Sequence, residues 1–355
     1  AFLEITNAKK IVIGRDSRPT GEAIVQMVSG FCRLCGVDVI DAGLATTPSV
    51  EILVTELKAD AGIIITASHN PLEWNALKFL NAKGLFLGPD DVKKLFALAD
   101  EGKFSFPDYK EMGAYEFLDD ADSVHIQGTL AIPFVDVQAI RKAKFKVAID
   151  AVNGAGSLIV PRLLEELGCE VVRVHCSPNG NFPRGAEPLP ENLKDLSKAV
   201  LEHNCAVGFA LDPDADRCAI VCGEGRAIGE EYTLAIASEE VLSQKPGNVC
   251  INLSTSRMNE DVAEKYGCKC SRAKVGGINV SLQMMEESCV IGGEGNGGVI
   301  LPALHYGRDS LVAVALVLSW MAHHNGGPEK FVKENPSYAM PKKKFELGSK
   351  SVAEI

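Results

Sequence analysis

Three short segments carry the residue types that chemistry needs: Thr66-Ala67-Ser68-His69-Asn70-Pro71, Asp212-Pro213-Asp214-Ala215-Asp216-Arg217 and Gly293-Glu294-Gly295-Asn296-Gly297-Gly298. In the second, three carboxylates alternate along one tight loop between the apolar runs Ala206 to Leu211 and Cys218 to Cys222. Such acids repel one another unless a hard cation neutralises them, and an all-oxygen set suits Mg2+. A solvated acidic turn is seldom flanked by two buried strands, so Asp212, Asp214 and Asp216 read as metal ligands. The loop is not an EF-hand, which needs glycine at the sixth position, where Arg217 stands. Nor does it suit an aspartyl-phosphate phosphatase, which favours D-x-D-x-T, because residue 216 is Asp. Arg217 offers a rigid fork of donors to a phosphate oxygen, or a partner that neutralises Asp216, and the two roles are compatible.

The run Ala61 to Ile65 reads as a buried strand that delivers Ser68 to a polar turn. His69 beside it suggests a hydrolytic dyad, yet adjacent residues on an extended segment point to opposite sides, and no G-x-S-x-G elbow is present. His69 is therefore expected to shape the turn by hydrogen bonding. The glycine-rich third segment lacks the G-x-G-x-x-G spacing of a dinucleotide loop. Glu294 and Asn296 on an open backbone suit bidentate recognition of sugar hydroxyls, although an ordinary flexible turn would read the same way.

The elements that must position these segments repeat. A first unit runs strand Lys10 to Gly14, a helix through Leu34, strand Gly36 to Ile40, a helix over Pro48 to Leu57 and strand Ala61 to Ile65. A second opens at Lys146 to Asp150, passes Gly168 to Val172 and reaches strand Ala206 to Leu211; a third runs from Asn248 to Leu253 and on to strand Cys289 to Ile291. Three copies imply three similar α/β/α domains with mostly parallel sheets, set around a central cleft. In such sheets ligands bind beyond the carboxyl ends of the strands, which is where all three segments fall. The expected domains are 1–135, 136–243 and 244–340. The stretch 341–355, with Lys342-Lys343-Lys344-Phe345-Glu346-Leu347, resembles the opening of a fourth.

The bulk numbers exclude other classes. The chain has 355 residues, 46% of them hydrophobic, and a net charge of −11, which leaves no electrostatic footprint for nucleic acid. Its longest apolar run, Leu311 to Ala322, is too short to span a bilayer, and no signal peptide precedes Lys10. An odd count of 11 cysteines at irregular spacing argues for reduced thiols, and Cys32 and Cys35 read as core residues rather than a redox pair. A cytoplasmic protein, monomeric or homodimeric, is expected.

The three motifs in this order, over nearly the whole chain, resemble the α-D-phosphohexomutase superfamily. The Gly-Asn form of the third loop resembles the branch holding phosphoglucosamine mutases and phosphomannomutase-like proteins. The resemblance implies an isomerase that moves a phosphoryl group between the 1 and 6 positions of a hexose phosphate. Ser68 would carry the phosphoryl group, and its oxygen would join Asp212, Asp214 and Asp216 around Mg2+. A hexose 1,6-bisphosphate would serve as intermediate and activator. Glucosamine phosphate is the expected substrate, with mannose or glucose phosphates, or a non-catalytic sugar-phosphate-binding fragment, as alternatives. Lys78, in Trp74 to Phe79, matches the family's general base, and a metal-rich, partly desolvated pocket would lower its pKa toward the working range, although an exposed strand lysine would read the same way. His69 comes with the serine motif among the catalytic positions. Glu294 and Asn296 would grip the sugar, Gly276 and Gly277 match the specificity loop, and Arg257 and Arg308 are expected phosphate or sugar contacts or, failing that, surface ion pairs. Gly277 stands where some relatives carry histidine or an acid, which leaves a second acid/base group unassigned. The family's G-T-x-G-I-R-G opening and the fourth domain's R-x-S-G-T-E-P loop do not occur in this sequence, so a shortened chain is expected.

Overall fold

A computed structural model describes residues 1–102 and 106–339, arranged as three α/β/α units, each on its own sheet. The segment 341–355, read above as the start of a fourth unit, lies outside the described residues. The first unit comprises α1 (Phe2–Thr6), β1 (Lys10–Arg15), α2 (Gly21–Leu34), β2 (Asp38–Leu44), α3 (Thr47–Glu56), β3 (Ala61–Ile65), β4 (Leu77–Asn81), α4 (Pro89–Glu101), β5 (Tyr115–Phe117) and α5 (Ala121–Leu130). The second comprises α6 (Val137–Ala143), β6 (Lys146–Asp150), α7 (Gly156–Glu166), β7 (Glu170–Val174), α8 (Lys194–Glu202), β8 (Val207–Leu211), β9 (Cys218–Cys222) and α9 (Glu231–Gln244). The third comprises β10 (Val249–Asn252), α10 (Met258–Lys265), β11 (Cys270–Ala273), α11 (Gly277–Glu286), β12 (Ile291–Glu294), β13 (Gly298–Ile300), α12 (Ser310–His324) and α13 (Pro328–Glu334).

The sheet orders are β4-β3-β1-β2-β5, β7-β6-β8-β9 and β11-β10-β12-β13. In each, the strand carrying a chemical loop lies beside the unit's first strand and ends in an antiparallel partner: β3 with β4, β8 with β9, β12 with β13. All other pairings are parallel, as βαβ crossovers require. The fully buried strands β3 and β8 are apolar along their whole length, as a sheet covered on both faces demands.

The middle strands of the first two copies start two residues later than expected, and one further shift bears on the site. The third copy's ligand strand is not Cys289 to Ile291 but Ile291–Glu294, so Glu294 belongs to the strand end rather than to the loop. Its register on β10, with Cys250 opposite Gly292 and Ile251 opposite Gly293, needs glycine, since a Cβ on residue 292 would lie 2.4 Å from the Cys250 carbonyl oxygen.

Units two and three share one core through α9 and α12, whereas the first unit buries separate clusters on the two faces of its sheet. Helix α12 is buried from Ser310 to Met321 on every side, which explains its unbroken apolar sequence. Among the described residues, no helix is long and apolar enough to cross a membrane. All eleven cysteines are free, Cys32 buried and Cys35 half-buried.

Candidate functional site

The chain leaves β3 at Ile65 and turns at once. Thr66 Oγ1 donates to Asp16 Oδ2 (2.7 Å) and accepts from the Ser68 N–H (2.9 Å), while Asn70 closes the turn with both its backbone N–H (3.0 Å) and its side-chain amide (2.9 Å) on the Ala67 carbonyl. Ser68 takes a left-handed conformation, φ 49°, uncommon for a residue other than glycine and typical of functional turns. Its hydroxyl donates to Asp212 Oδ2 at 3.1 Å. His69 does not shape this turn as expected: its Nδ1 is buried without a hydrogen-bond partner among the described residues. Burial and the Arg217 charge hold the ring below the usual histidine pKa.

The turn is clamped from the end of β1. Arg18, almost fully buried, sends Nε to the Trp74 carbonyl (2.7 Å), Nη2 to those of Ser68 (3.0 Å) and Asn70 (2.6 Å), and Nη1 to Asp16 Oδ2 (2.6 Å). Neither Asp16 nor Arg18 was singled out from the sequence. Extending the strand-end rule from the third strand of the unit to the first would have found Asp16-Ser17-Arg18 beyond β1.

Asp212, Asp214 and Asp216 are all buried, with ligand oxygens within 4.8 Å of one another. The loop is built to hold them. Asp212 Oδ1 accepts the N–H groups of Asp216 and Arg217 (both 3.1 Å), and Ser310, at the start of α12, donates to the carbonyls of Ala215 (3.3 Å) and Arg217 (2.9 Å). The first unit reaches in through Thr47, which donates its N–H to the Asp214 carbonyl (2.9 Å) and its hydroxyl to Asp214 Oδ2 (2.6 Å).

Burial, then repulsion from Asp214 and Asp216, raises the Asp212 pKa well above the carboxylate range. Burial pushes Asp214 the same way, but Lys78 and Thr47 outweigh it and hold that group low. Oδ1 of Asp214 and Oδ1 of Asp216 are buried with no hydrogen-bond partner among the described residues. Two orphaned carboxylate oxygens in an all-oxygen cluster fit a hard divalent cation.

Lys78 comes back toward the cluster on β4, opposite Ile64 of β3, and its ammonium meets Asp214 Oδ2 at 2.6 Å. With only the chain's own charges around it, Lys78 is shifted the other way from the depression expected for a metal-loaded pocket. Burial lowers the value, but the charges of Asp214 and Asp216 exceed it and the ammonium is held above its ordinary range.

The third unit meets the same cluster through Arg308, which bridges Asp216 and Glu294 with one terminal nitrogen each. Glu294 Oε1 also accepts from Asn252 (2.6 Å) and the Gly276 N–H (3.1 Å). Burial raises the Glu294 pKa, and Arg308 with these donors more than reverses it. Gly297, φ 87°, lets its loop lie against β9, where its carbonyl accepts the Cys218 N–H at 3.0 Å; a Cβ there would sit 2.3 Å from the Cys218 oxygen. Asn296 Oδ1 accepts from Gly298 N–H (3.3 Å), and an added Cβ on Gly277 would lie 3.6 Å from Arg308 Nε. The structure thus brings Ser68, Lys78, the three aspartates, Arg217, Arg308 and Glu294 together. Arg257 instead lies exposed at the N-cap of α10, paired with Glu260 at 3.2 Å.

Three domain signatures match in order: phosphoglucomutase/phosphomannomutase α/β/α domain I over residues 1–106, domain II over 124–225 and domain III over 229–338. A probable phosphoglucosamine mutase of Methanopyrus kandleri is 34% identical over 100% of this chain and 78% of its own length. A phosphoglucomutase/phosphomannomutase of Thermococcus kodakarensis is 37% identical over 92% of this chain and 72% of its own. The crystal structure of a family protein from Burkholderia thailandensis superposes with a TM-score of 0.83 at 27% identity, covering 94% of this chain and 73% of that one.

Proposed function

The chain belongs to the phosphoglucomutase/phosphomannomutase family of the α-D-phosphohexomutase superfamily and is an enzyme, and from that premise we propose that it interconverts the 1- and 6-phosphates of a hexosamine through phosphorylated Ser68. The observation that carries the reading is the Ser68 hydroxyl 3.1 Å from Asp212, within a buried cluster that three separate strand ends converge on.

Asp212, Asp214 and Asp216 would hold Mg2+, which when bound supplies neutralisation of charge on transferring phosphoryl oxygens. The remaining work falls to the chain. The left-handed turn and the Arg18 clamp fix the direction of the Ser68 oxygen, so that an attacking sugar hydroxyl and the serine leaving oxygen can lie in line. As the new O–P bond forms, the Ser68 O–P bond breaks. The sugar hydroxyl gives up a proton to Lys78, the proposed carrier, whose ammonium must first have shed its own proton, and Ser68 regains a proton from it. Arg217 brings positive charge to the phosphoryl oxygens. Running the same transfer from the other end of the bisphosphorylated sugar returns a phosphoryl group to Ser68. Glu294, Asn296, Gly276 and Gly277 form the proposed sugar side, with Arg308 tying that side to the metal loop.

Glucosamine phosphate is the preferred substrate, since the M. kandleri relative is named for it; the T. kodakarensis relative's name supports glucose or mannose phosphate as the second reading. Coupled assays on glucosamine 6-phosphate, mannose 1-phosphate and glucose 1-phosphate, with glucose 1,6-bisphosphate as activator, decide between them. A Ser68→Ala variant should lose mutase activity on every sugar by at least about a thousandfold; full activity in that variant would refute the proposal.

A further inference from the structure

The segment between β7 and α8 leaves its own unit and lies on the first one. A Cβ on Gly180 would be 2.2 Å from the Ser17 carbonyl oxygen, and the Arg18 guanidinium sits over the Phe182 ring at 5.1 Å. Arg184 is pinned by Asp150 Oδ2 (2.9 Å) and the Leu211 carbonyl (2.7 Å). The Glu187 carbonyl accepts from the Asn192 amide and the Leu189 N–H, both at 2.9 Å. The backbone at residue 187 is therefore fixed, and its side chain meets Arg217 Nη1 with Oε1 at 3.1 Å.

Arg217 is otherwise held at its ends only. Its backbone is tied to Asp212 and Ser310, while Nε is buried with no hydrogen-bond partner among the described residues, 3.8 Å from Asp216 Oδ1. A buried guanidinium anchored by one terminal nitrogen, with a second donor unspent, is aimed rather than satisfied. We propose that Glu187 is a positioning residue that holds the Arg217 fork in the orientation that receives the phosphoryl group of Ser68. Glu187 touches no substrate and acts through Arg217. This rests on the mutase reading above.

A merely structural role predicts a different outcome. The Glu187 side chain is 36% exposed, so its ion pair adds little to stability. Glu187→Ala should melt within about 1 °C of the parent protein. Transfer from glucose 1,6-bisphosphate to Ser68, followed by intact mass in the presence of Mg2+, should slow about tenfold at saturating bisphosphate, the loss expected for one charged hydrogen bond at the lower end of its range. Glu187→Gln, which keeps the contact to Nη1, should recover most of the rate. Arg217→Ala and the Glu187→Ala/Arg217→Ala double variant should be equally slow, because the first residue works only through the second.

A Glu187→Ala rate within twofold of the parent, equal losses in the Ala and Gln variants, or a further loss on the Arg217→Ala background would each overturn the assignment. If the parent protein acquires no phosphoryl group at Ser68, the mutase reading and this assignment fall together. If the parent and Arg217→Ala behave as expected and the double variant is additive, only the role of Glu187 falls.

Discussion

Replacing Asp212 by Asn should make the chain indifferent to Mg2+ without unfolding it. When all are ionised, five carboxylates, Asp212, Asp214, Asp216, Glu187 and Glu294, lie around three cations, Lys78, Arg217 and Arg308, leaving two negative charges that one divalent ion would balance. Two ionised ligand oxygens 4.8 Å apart would repel by about 3.5 kcal/mol at an effective dielectric near 20. The raised pKa of Asp212 already relieves its two pairs by favouring the protonated acid in the metal-free chain, and Asn at 212 keeps them relieved with no proton to lose. Its amide oxygen can still accept the N–H groups of Asp216 and Arg217, and its NH2 can donate to Ser68, so the loop keeps its shape. The metal-free variant should therefore melt at or above the metal-free parent. With Mg2+ at about a hundred times its Kd, the parent should gain about 2.7 kcal/mol, or about 4 °C if all 355 residues unfold together. Differential scanning fluorimetry in EDTA and in MgCl2 reads both quantities. An Asp212→Asn protein that gained the same shift as the parent would refute the aspartates as the cation site.

Two further outcomes follow from buried charges. Arg18→Ala leaves Asp16 without its cation and strips three turn carbonyls of a donor, so urea unfolding should lose about 3–5 kcal/mol; Arg18→Lys should recover little, lacking the fork, and a loss under about 1 kcal/mol would be inconsistent with the clamp. Burial lowers the His305 pKa, but Asp309 and Glu51 outweigh it and raise the ring from 6.5 to about 9, even though the Gly307 N–H at 3.1 Å from Nδ1 favours the neutral ring. The folded value being the higher, this stabilisation is complete below pH 6.5 and is lost as pH rises through about 9. It amounts to at most about 3 kcal/mol, which urea midpoints measured across that window should register and His305→Gln should abolish.

The repeat and the strand-end rule were enough to bring three distant segments to one place, because the position of a loop after a buried parallel strand follows from the topology alone. Glu294 was assigned to a loop because Ile291-Gly292-Gly293 carries no side-chain pattern; only the close approach of β10 explains those glycines. Lys78 was placed correctly near the acids, but the sign of its pKa shift depends on a 2.6 Å contact to Asp214 that spacing cannot reveal. Thr47, Arg18 and Glu187 went unnoticed for a related reason. Each acts on a different unit or on a neighbouring loop through polar contacts that only the fold brings about, and nothing in a local motif marks such partners.

The loops are also laced to one another across unit boundaries, by Thr47 on Asp214, Cys218 on Gly297 and Ser310 on Ala215. Opening a hinge between any two of the three units would tear main-chain bonds out of the metal loop itself. On the proposed mutase reading, a bisphosphorylated sugar that presents first one end and then the other to Ser68 would have to pivot inside a stationary cradle. Its turnover would then be paced by how freely the sugar tumbles there before it escapes, and a more viscous solvent should favour the half-turn over loss of the intermediate.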